Sequence, residues 1–275
     1  MTDIRQTIKG IFPPAVWRPI SESRYALQRA WDWPLAAFHP WRRESKHQLA
    51  AFKDIHKGER CFIIGNGPSL KDTDISKLAN EYTFGMNRIY LAFEDWGFQT
   101  SFLVSVNDLV IEQCVDDFLA LDMPRFFSWR SRRFFPQSLI TNAQPPIFLH
   151  TTYTGPKFAK DACGRLWEGA TVTYICLQLA FYMGFEQVIL IGVDHSFTSK
   201  GDPNTTVISQ GDDPNHFDPK YFGSGFRWQL PDLDTSEIGY LIAHKTYQAA
   251  GREVLDATIG GKLQIFPKID YPSLF

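Results

Sequence analysis

The stretch that decides the fold is Arg60-Cys61-Phe62-Ile63-Ile64-Gly65-Asn66-Gly67-Pro68-Ser69-Leu70. Its first part, Cys61 to Ile64, is a short apolar run typical of a strand buried in a parallel sheet, and the glycines after it let the backbone turn sharply. Such a turn lies where α/β proteins bind ligands, and it is expected to offer free N–H groups to a phosphate. We therefore predict a nucleotide site formed by Gly65, Asn66, Gly67, Pro68 and Ser69.

The same residues narrow the kind of nucleotide site. They lack the Gly-x-x-x-x-Gly-Lys-Ser/Thr pattern of a P-loop, and Leu70 stands where the fingerprint Gly-x-Gly-x-x-Gly has its last glycine. A P-loop ATPase and a typical NAD enzyme are therefore disfavoured. The alternative interpretation is an ordinary turn, because Asn-Gly and Gly-Pro are general turn signals.

Composition and charge indicate a globular chain. Its 275 residues, 44% of them hydrophobic, suffice for one large α/β domain or a domain with an extension. A net charge of −2 argues against a nucleic-acid-binding protein. The four cysteines are too widely spaced for a zinc knuckle or a dense disulfide framework. With no signal-peptide core and no long apolar run, the sequence predicts a cytoplasmic protein, neither secreted nor membrane-spanning.

Residues 1–57 differ from the rest of the chain in charge and in tryptophan content. They carry ten Lys and Arg against five Asp and Glu, and they hold four of the eight tryptophans. We predict a basic helical arm here and a single Rossmann-like nucleotide-binding domain over 58–275. The arm either contacts the inner face of a membrane or packs on the main domain or on a second subunit of a homo-oligomer. Its five prolines argue against one long amphipathic helix.

From residue 58 onwards, apolar strand patterns alternate with helical ones, which predicts an α/β fold: a Rossmann-like, mostly parallel sheet with flanking helices. Strands are predicted at 61–64, 82–86, 100–106, 125–129, 147–150, 187–193 and 253–256, and helices at 109–121, 171–183 and 236–250, with a short one ending near 79. Residues 198–233, rich in Gly, Asp, Pro and Asn, are predicted to form a lid over the sheet edge.

Polar residues follow successive predicted strands. They are Asn66 with Ser69, Asn87, Asn107 with Asp108, and Asp194 with His195. Because the carboxyl ends of parallel strands meet at one edge, we expect these side chains to surround one ligand. His195 is the first candidate for a general base, since imidazole titrates near neutrality, although a hydrogen-bonded structural histidine has the same pattern. His216, on the lid, is a second candidate that would reach the site on closure, and Asp194 is a third candidate catalytic residue.

An ordered set of motifs resembles two related families. The motifs are Gly65 to Lys71, Gly85 to Arg88, Glu168 to Tyr174, Gly184-Phe185, and Ile191 to Asp194. They resemble the bacterial family 42 sialyltransferases. They also resemble the proteins that share a domain with the archaeal 6-hydroxymethyl-7,8-dihydropterin pyrophosphokinase and the motility-associated flagellin glycosyltransferases. The resemblance covers roughly residues 57–268 and leaves out the arm.

The sialyltransferase resemblance implies an inverting glycosyltransferase of surface polysaccharide or glycoprotein synthesis. Its donor would be a nucleotide-activated sugar, a nonulosonic (sialic-type) acid on a cytidine nucleotide, its acceptor a glycan or glycoprotein, and no metal would be required. The residues that would contact the donor nucleotide or sugar are Gly65, Asn66, Gly67, Ser69, Asn87 and Asn107. Thr171 and Thr173 would lie beside the donor at a helix N-terminus, which favours phosphate charge.

The chain departs from the sialyltransferases around the catalytic base. Residues 226–230, where the family has its histidine, contain none. His195 or His216 would replace it, and Tyr221 or Arg227 could serve the phosphate from the lid. The pyrophosphokinase alternative would need ATP and Mg²⁺, with Asp108 and Asp194 among the acidic ligands. A third interpretation is a nucleotide-sugar-binding module without turnover.

Overall fold

The computed structural model describes residues 33–138, 144–153, 155, 157–199 and 201–275. Most of the predicted arm, residues 1–32, lies outside this range. Within the described chain, strands and helices alternate from residue 60 onwards.

Eight strands form one sheet in which all neighbours are parallel. They are β1 Arg60–Ile64, β2 Tyr82–Met86, β3 Phe102–Ser105, β4 Arg125–Ser128, β5 Ile147–Thr152, β6 Arg165–Trp167, β7 Gln187–Ile191 and, after an antiparallel pair in the lid (β8 Thr206–Ile208 and β9 Arg227–Gln229), β10 Glu253–Asp256. Their order across the sheet is β10-β7-β1-β2-β3-β4-β5-β6. The predicted Rossmann-like fold is confirmed.

The chain reverses its direction of winding at β1. Cys61 pairs with Tyr82 of β2 on one side and with Val188 of β7 on the other. From β1 the chain moves outward through β2 to β6, and then returns to the other side of β1 through β7 and β10. The carboxyl ends of β1 and β7 flank the crevice that this reversal creates, where open α/β sheets bind ligands.

The central strands are apolar because both faces of the sheet are covered. Phe62 and Ile64 of β1 face one hydrophobic core, while Cys61 and Ile63 face the other. Strands buried on both faces have continuous rather than alternating apolar sequences. This explains the uninterrupted apolar run that precedes Gly65.

Helices cover the two faces. They are α1 Pro40–Ala51, α2 Phe93–Trp96, α3 Asp108–Leu119, α4 Val172–Met183 and α5 Leu233–Ala249. The residues of α4 from Thr173 to Met183 are all buried, and the helix ends at Gly184, which has a φ of +101°. A left-handed residue at this position favours glycine. The helix predicted over 171–183 is confirmed to within one residue.

Helix α1, which belongs to the predicted arm, packs on the outer part of the sheet. The Phe148 N–H of β5 donates to the hydroxyl of Ser45 at 2.9 Å, and Trp41 stacks on Phe148 with ring centroids 5.5 Å apart. Strand β6 begins its pairing with β5 only at His150, so Ser45 satisfies a backbone donor that the short edge strand leaves unpaired. The domain boundary at residue 58 stays a prediction.

Some elements differ from the prediction. The short helix ending near residue 79 is instead a pair of 3₁₀ turns, Pro68–Asp72 and Ile75–Leu78. Strand β6 and the β8–β9 pair were not predicted, because three-residue strands carry too little periodicity to recognise. Among the described residues, no helix is both long and apolar enough to cross a bilayer.

Candidate functional site

A cavity of about 230 Å³ opens at the carboxyl ends of β1 and β7. Its walls are the loops after these strands, the N-terminus of α4, the start of α5 and the lid. The predicted site residues that line it are Gly65, Asn66, Gly67, Asn87, Asn107, Thr171, Thr173, Asp194, His195, His216 and Tyr221. The crevice therefore brings most of the predicted side chains together.

The turn after β1 packs directly against the loop after β7. The Gly65 N–H donates to the carbonyl of Ile191 at 2.8 Å, and the Gly67 N–H donates to the carbonyl of Gly192 at 2.9 Å. A Cβ atom at Gly65 would lie 2.2 Å from the Gly192 oxygen, so the approach requires glycine. The prediction that this turn offers free N–H groups is thus wrong for Gly65 and Gly67, because the neighbouring loop already accepts them.

Asp194, in the loop after β7, stabilises the same turn through hydrogen bonds. Its Oδ2 accepts a hydrogen bond from the Ser69 hydroxyl at 2.7 Å, and its Oδ1 accepts from the Ser69 N–H at 3.1 Å. A Cβ atom at Gly67 would lie 1.8 Å from Asp194 Oδ2. Ser69 and Pro68 do not line the cavity but shape the turn behind it. This geometry gives Asp194 a positioning role, and its catalytic role stays a prediction.

His195 lines the cavity with its ring held by a glutamate of α5. Nε2 lies 2.9 Å from Glu237 Oε1, and the His195 side chain is only 7% exposed. Its φ of +54° is uncommon for a residue other than glycine, and such conformations concentrate at functional sites. Within the described residues, Nδ1 has no hydrogen-bond partner. A histidine oriented through one nitrogen and free at the other has the arrangement of a general base.

The lid brings a second histidine–carboxylate pair to the cavity. His216 Nδ1 lies 2.7 Å from Asp213 Oδ2, and the Asp213 side chain is 3% exposed. The imidazole stacks on Tyr221, with 4.0 Å between ring centroids. Asp213 Oδ1 also accepts the Asn215 N–H at 2.8 Å. The contact with Asp213 therefore fixes the rotation of the His216 ring, and the stacking on Tyr221 fixes the position of its face.

The lid is fastened over the loops that follow β1 and β2. The Phe217 N–H donates to the carbonyl of Asn66 at 2.9 Å. The guanidinium of Arg88, just after β2, donates to the carbonyls of Lys220, at 3.2 Å, and of Tyr221. Hydrogen bonds from a charged donor are stronger than those between neutral groups. Arg88 therefore acts as a latch for the segment that carries the lid histidine.

Helix α3 holds the far side of the lid. The Gln113 amide donates to the carbonyl of Arg227 at 2.8 Å, and its oxygen accepts the Arg227 N–H at 2.9 Å. The Arg227 guanidinium forms an ion pair with Glu112 at 3.0 Å and does not line the cavity. Of the two lid residues predicted to serve the phosphate, the structure thus brings Tyr221 to the cavity and leaves Arg227 on the outer surface.

The N-terminus of α4 forms a wall of the cavity. The hydroxyl of Thr171 accepts the Thr173 N–H at 3.3 Å and lies 3.4 Å from the hydroxyl of Tyr240. Gly169 and Ala170, just before the helix, have φ values of +52° and +59°. The start of a helix carries partial positive charge and unpaired N–H groups, so it favours an anion.

The three predicted asparagines differ in what their side chains already contact. The Asn66 amide nitrogen donates to a main-chain carbonyl at the end of β2 at 3.1 Å, while its oxygen is buried without a partner. Asn87 Oδ1 accepts from the Ser105 hydroxyl at 2.9 Å. Asn107 caps α3, with Oδ1 accepting the Leu109 N–H at 2.9 Å. Among these oxygens, that of Asn66 most needs a further hydrogen-bond donor.

Asp108 lies outside the cavity lining. Its carboxylate pairs with Arg130 at 3.2 Å and with Arg133 at 2.9 Å, and Arg130 also pairs with Glu168. A carboxylate neutralised by two arginines does not fit the role of a magnesium ligand at the cavity. Across the described parts of the chain, no group of three or more His, Cys, Asp or Glu is arranged to hold a metal ion.

The carboxylate partners of the two histidines were not predicted from the sequence. Asp213 lies three residues before His216, and this spacing could have suggested the pair. Glu237 lies 42 residues after His195 and on another element, so no local pattern reveals it.

A family model described as 6-hydroxymethylpterin diphosphokinase MptE-like matches residues 39–200, more than half of the chain. No curated protein matches the chain. Among solved structures, the chain is similar to the MAf glycosyltransferase from Magnetospirillum magneticum AMB-1, with 14% sequence identity, a TM-score of 0.45 and 85% of this chain covered. The chain spans 39% of the length of that protein. By the extent of the family match, this chain belongs to the 6-hydroxymethylpterin diphosphokinase MptE-like family.

Proposed function

We propose that the chain is an inverting glycosyltransferase that moves a nonulosonic acid from a cytidine nucleotide to a hydroxyl of a glycan or glycoprotein, with no metal required. The observation that carries the proposal is that His195 and His216, each held by a carboxylate, line one cavity with the N-terminus of α4. Such a transfer needs a base for the acceptor hydroxyl and a positively polarised site for the departing phosphate.

In this mechanism the donor phosphate lies at the start of α4. The hydroxyls of Thr171 and Thr173 and the helix dipole stabilise the charge that the phosphate gains as it leaves. His195 accepts the proton of the acceptor hydroxyl through Nδ1, while Glu237 orients the ring and stabilises the imidazolium. The acceptor oxygen bonds to the anomeric carbon as the bond to the phosphate oxygen breaks on the opposite face, which gives inversion.

The lid controls access in this proposal. Pockets for drug-sized ligands measure about 300–1,000 Å³, whereas the cavity measures about 230 Å³. We infer that the lid moves outward to admit a whole nucleotide-sugar. Its return would bring His216 and Tyr221 against the bound donor. We place the reaction in the cytoplasm at the inner face of the membrane, in surface glycan synthesis, with the basic, Trp-rich residues 1–57 as the supporting feature.

The family description favours a second candidate, a diphosphokinase that transfers diphosphate from ATP with Mg²⁺. Among the described residues, the acidic ones that line the cavity are Asp194 and Asp232. Asp194 accepts two hydrogen bonds from Ser69, and Asp232 caps α5 by accepting the Thr235 N–H at 3.0 Å. Both thus hold main-chain turns in place. This engagement favours sugar transfer over a magnesium-dependent reaction.

A thermal-shift panel separates these candidates. The purified protein is tested with cytidine, uridine, guanosine and adenosine nucleotides, each with and without Mg²⁺. A ligand at one hundred times its Kd adds about 2.7 kcal/mol of stability, which is readily measured. Stabilisation by cytidine nucleotides without metal supports the glycosyltransferase. Selective stabilisation by ATP with Mg²⁺ supports the diphosphokinase instead. Donor binding without turnover in the presence of acceptors would indicate a binding module.

A further inference from the structure

Four basic residues lie near the edge of the sheet that is away from the cavity, and three of them act electrostatically on the fourth, His150. Arg42 and Lys46 are one turn apart on α1. His150 lies on β5, and Arg165 is its neighbour in the backbone register of β6. We call these residues the edge basic cluster. None of them lines the cavity. Strand β5 is four positions from β1 in the sheet, or about 19 Å at the usual strand spacing.

Arg42 is the buried centre of the cluster. It is 1% exposed, and its Nη2 donates to the carbonyls of Cys163, at 2.7 Å, and Gly164, at 3.2 Å. Its Nε and Nη1 are buried without a hydrogen-bond partner. The two carbonyls are neutral, so they do not compensate the positive charge. A buried charge with unsatisfied donors is strongly disfavoured unless an anion accompanies it.

The other three members also lack acceptors. The Nε of Arg165 is buried without a partner, and the structure gives the side chains of Lys46 and His150 no hydrogen bond or ion pair within the described residues. Burial, followed by the charges of Arg165, Arg42 and Lys46, lowers the pKa of His150 to about 4. The acidic groups that act on Arg42 are the thiol of Cys163 and the carboxylate of the exposed Asp161, which also accepts the N–H of Cys163 at 2.9 Å. Positive charge is therefore concentrated here in excess.

We propose that the edge basic cluster binds a phosphoryl group. A phosphate dianion supplies two negative charges to a site with three permanent positive ones, and its oxygens fit the planar donor fork of arginine. A single carboxylate would leave more of the charge uncompensated. The phosphoryl group could belong to a soluble phosphate ester or to a lipid headgroup. The inference is independent of the proposed function, because no residue of the cluster belongs to the cavity.

Proton linkage gives the site a distinctive signature. A bound dianion favours the protonated form of His150, so binding should raise the pKa of this imidazole from about 4. The charged groups that act on His150 are Arg165 from β6 and Arg42 and Lys46 from α1, while Asp161, in the loop before β6, acts on Arg42. The signature is therefore the NMR titration of His150 with and without phosphate, because phosphate itself gains a proton in the same pH range.

The test uses the full chain and inorganic phosphate, with the imidazole NMR signal of His150 as the site-specific readout. The variants are Lys46→Gln and Arg165→Gln, whose partly exposed side chains can be replaced without burying a new group. The matched control is Arg43→Gln, which removes an exposed charge from the same helix. We expect phosphate to shift the His150 signal, each cluster variant to weaken binding at least tenfold, and Arg43→Gln to change it less than twofold.

Two outcomes would overturn the proposal. One is a His150 signal that does not respond to phosphate at any pH between 5 and 8. The other is an equal loss of binding in Arg43→Gln, which would indicate general charge attraction. Thr173→Val, in the cavity, should leave the His150 response unchanged. If it abolishes the response, phosphate acts from the cavity and the edge site does not exist.

Vesicles distinguish the two sources of the phosphoryl group. The chain is sedimented with phosphatidylcholine vesicles that contain or lack phosphatidic acid. Binding that requires phosphatidic acid and is lost in Lys46→Gln and Arg165→Gln, but kept in Arg43→Gln, assigns the site to a lipid headgroup. Phosphate binding at His150 without vesicle binding assigns it to a soluble phosphate ester. Vesicle binding that all three variants weaken equally counts against a built site.

Discussion

Glu237 Oε1 of α5 lies 2.9 Å from Nε2 of His195, which follows β7. The histidine side chain is 7% exposed and the glutamate side chain 52% exposed, so the carboxylate holds the ring from its solvent side. The other ring nitrogen is left without a partner within the described residues. In the proposed mechanism, His195 is the base and Glu237 is its positioning group.

His195→Ala should reduce sugar transfer by about 10²–10⁴-fold, the usual contribution of a general base. Donor binding should stay nearly unchanged, because the phosphate contacts come from α4. Glu237→Gln keeps the size of the side chain but removes its charge, and it should slow transfer by less than His195→Ala does. The measurements are initial rates with donor and acceptor, together with donor affinity by calorimetry.

Asp234→Asn is the control for Glu237→Gln, since it removes an exposed acid from the same helix. It should leave transfer unchanged. Unaltered turnover in His195→Ala would remove this residue from the mechanism. His216→Ala, made alongside, would then identify the lid histidine as the base if it alone abolished transfer.

Arg88→Met should loosen the lid. Its guanidinium donates to the carbonyls of Lys220 and Tyr221, and hydrogen bonds to charged groups contribute about 1.5–3 kcal/mol. Losing them should raise the opening equilibrium of residues 213–230 about tenfold or more, measured as faster amide hydrogen exchange. Arg227→Gln breaks only an exposed ion pair with Glu112, which contributes about 0–1 kcal/mol, and should change exchange little. Equal exchange in both variants would refute the latch.

Gly67→Ala should distort the turn after β1. The new Cβ would lie 1.8 Å from Asp194 Oδ2, so either the turn or the carboxylate must shift. Overpacking of this kind costs about 1–3 kcal/mol, measured by urea unfolding, and nucleotide binding should be lost with it. Gly211→Ala, in the lid, adds a methyl group where no atom lies within 4 Å. That variant should bind and unfold like the parent.

His150 should make the chain less stable in mild acid. Its pKa is lowered from 6.5 to about 4 in the folded chain, so between these values the unfolded chain binds more protons and stability falls as the pH falls. From pH 7 to pH 5 the loss should be about 2 kcal/mol. His150→Gln should remove that part of the pH dependence in urea unfolding. A variant with the parent's pH profile would show that His150 titrates normally.

Most of the sheet could be predicted from the sequence because its central strands are buried on both faces and therefore have continuous apolar sequences. Strands β2 and β10 begin and end where they were predicted. The three-residue strand β6 was missed because it has no recognisable period. Strands β8 and β9 were missed for the same reason, because they are also three residues long and the lid was predicted from composition alone.

Site residues could be predicted from sequence where their position depends on strand order. They could not be predicted where it depends on contacts between distant elements. The prediction that His195 stands at the sheet edge needed only the end of an apolar strand. Its partner Glu237 comes from a helix whose position no local pattern fixes. The glycines of the first turn were identified for the wrong reason, since close approach to another backbone and close approach to a ligand both exclude a Cβ atom.

The hydrogen bond between Ser69 and Asp194 joins residues 125 positions apart. It forms only after β7 has paired with β1, and β7 is the seventh strand along the chain. During synthesis, the glycine turn after β1 therefore emerges long before the loop after β7 that holds it in shape. The ligand site that we propose here cannot form until most of the chain has been synthesised. Closing a loop of this size has a large entropic cost, so ligand-binding competence should be among the last properties to appear during folding.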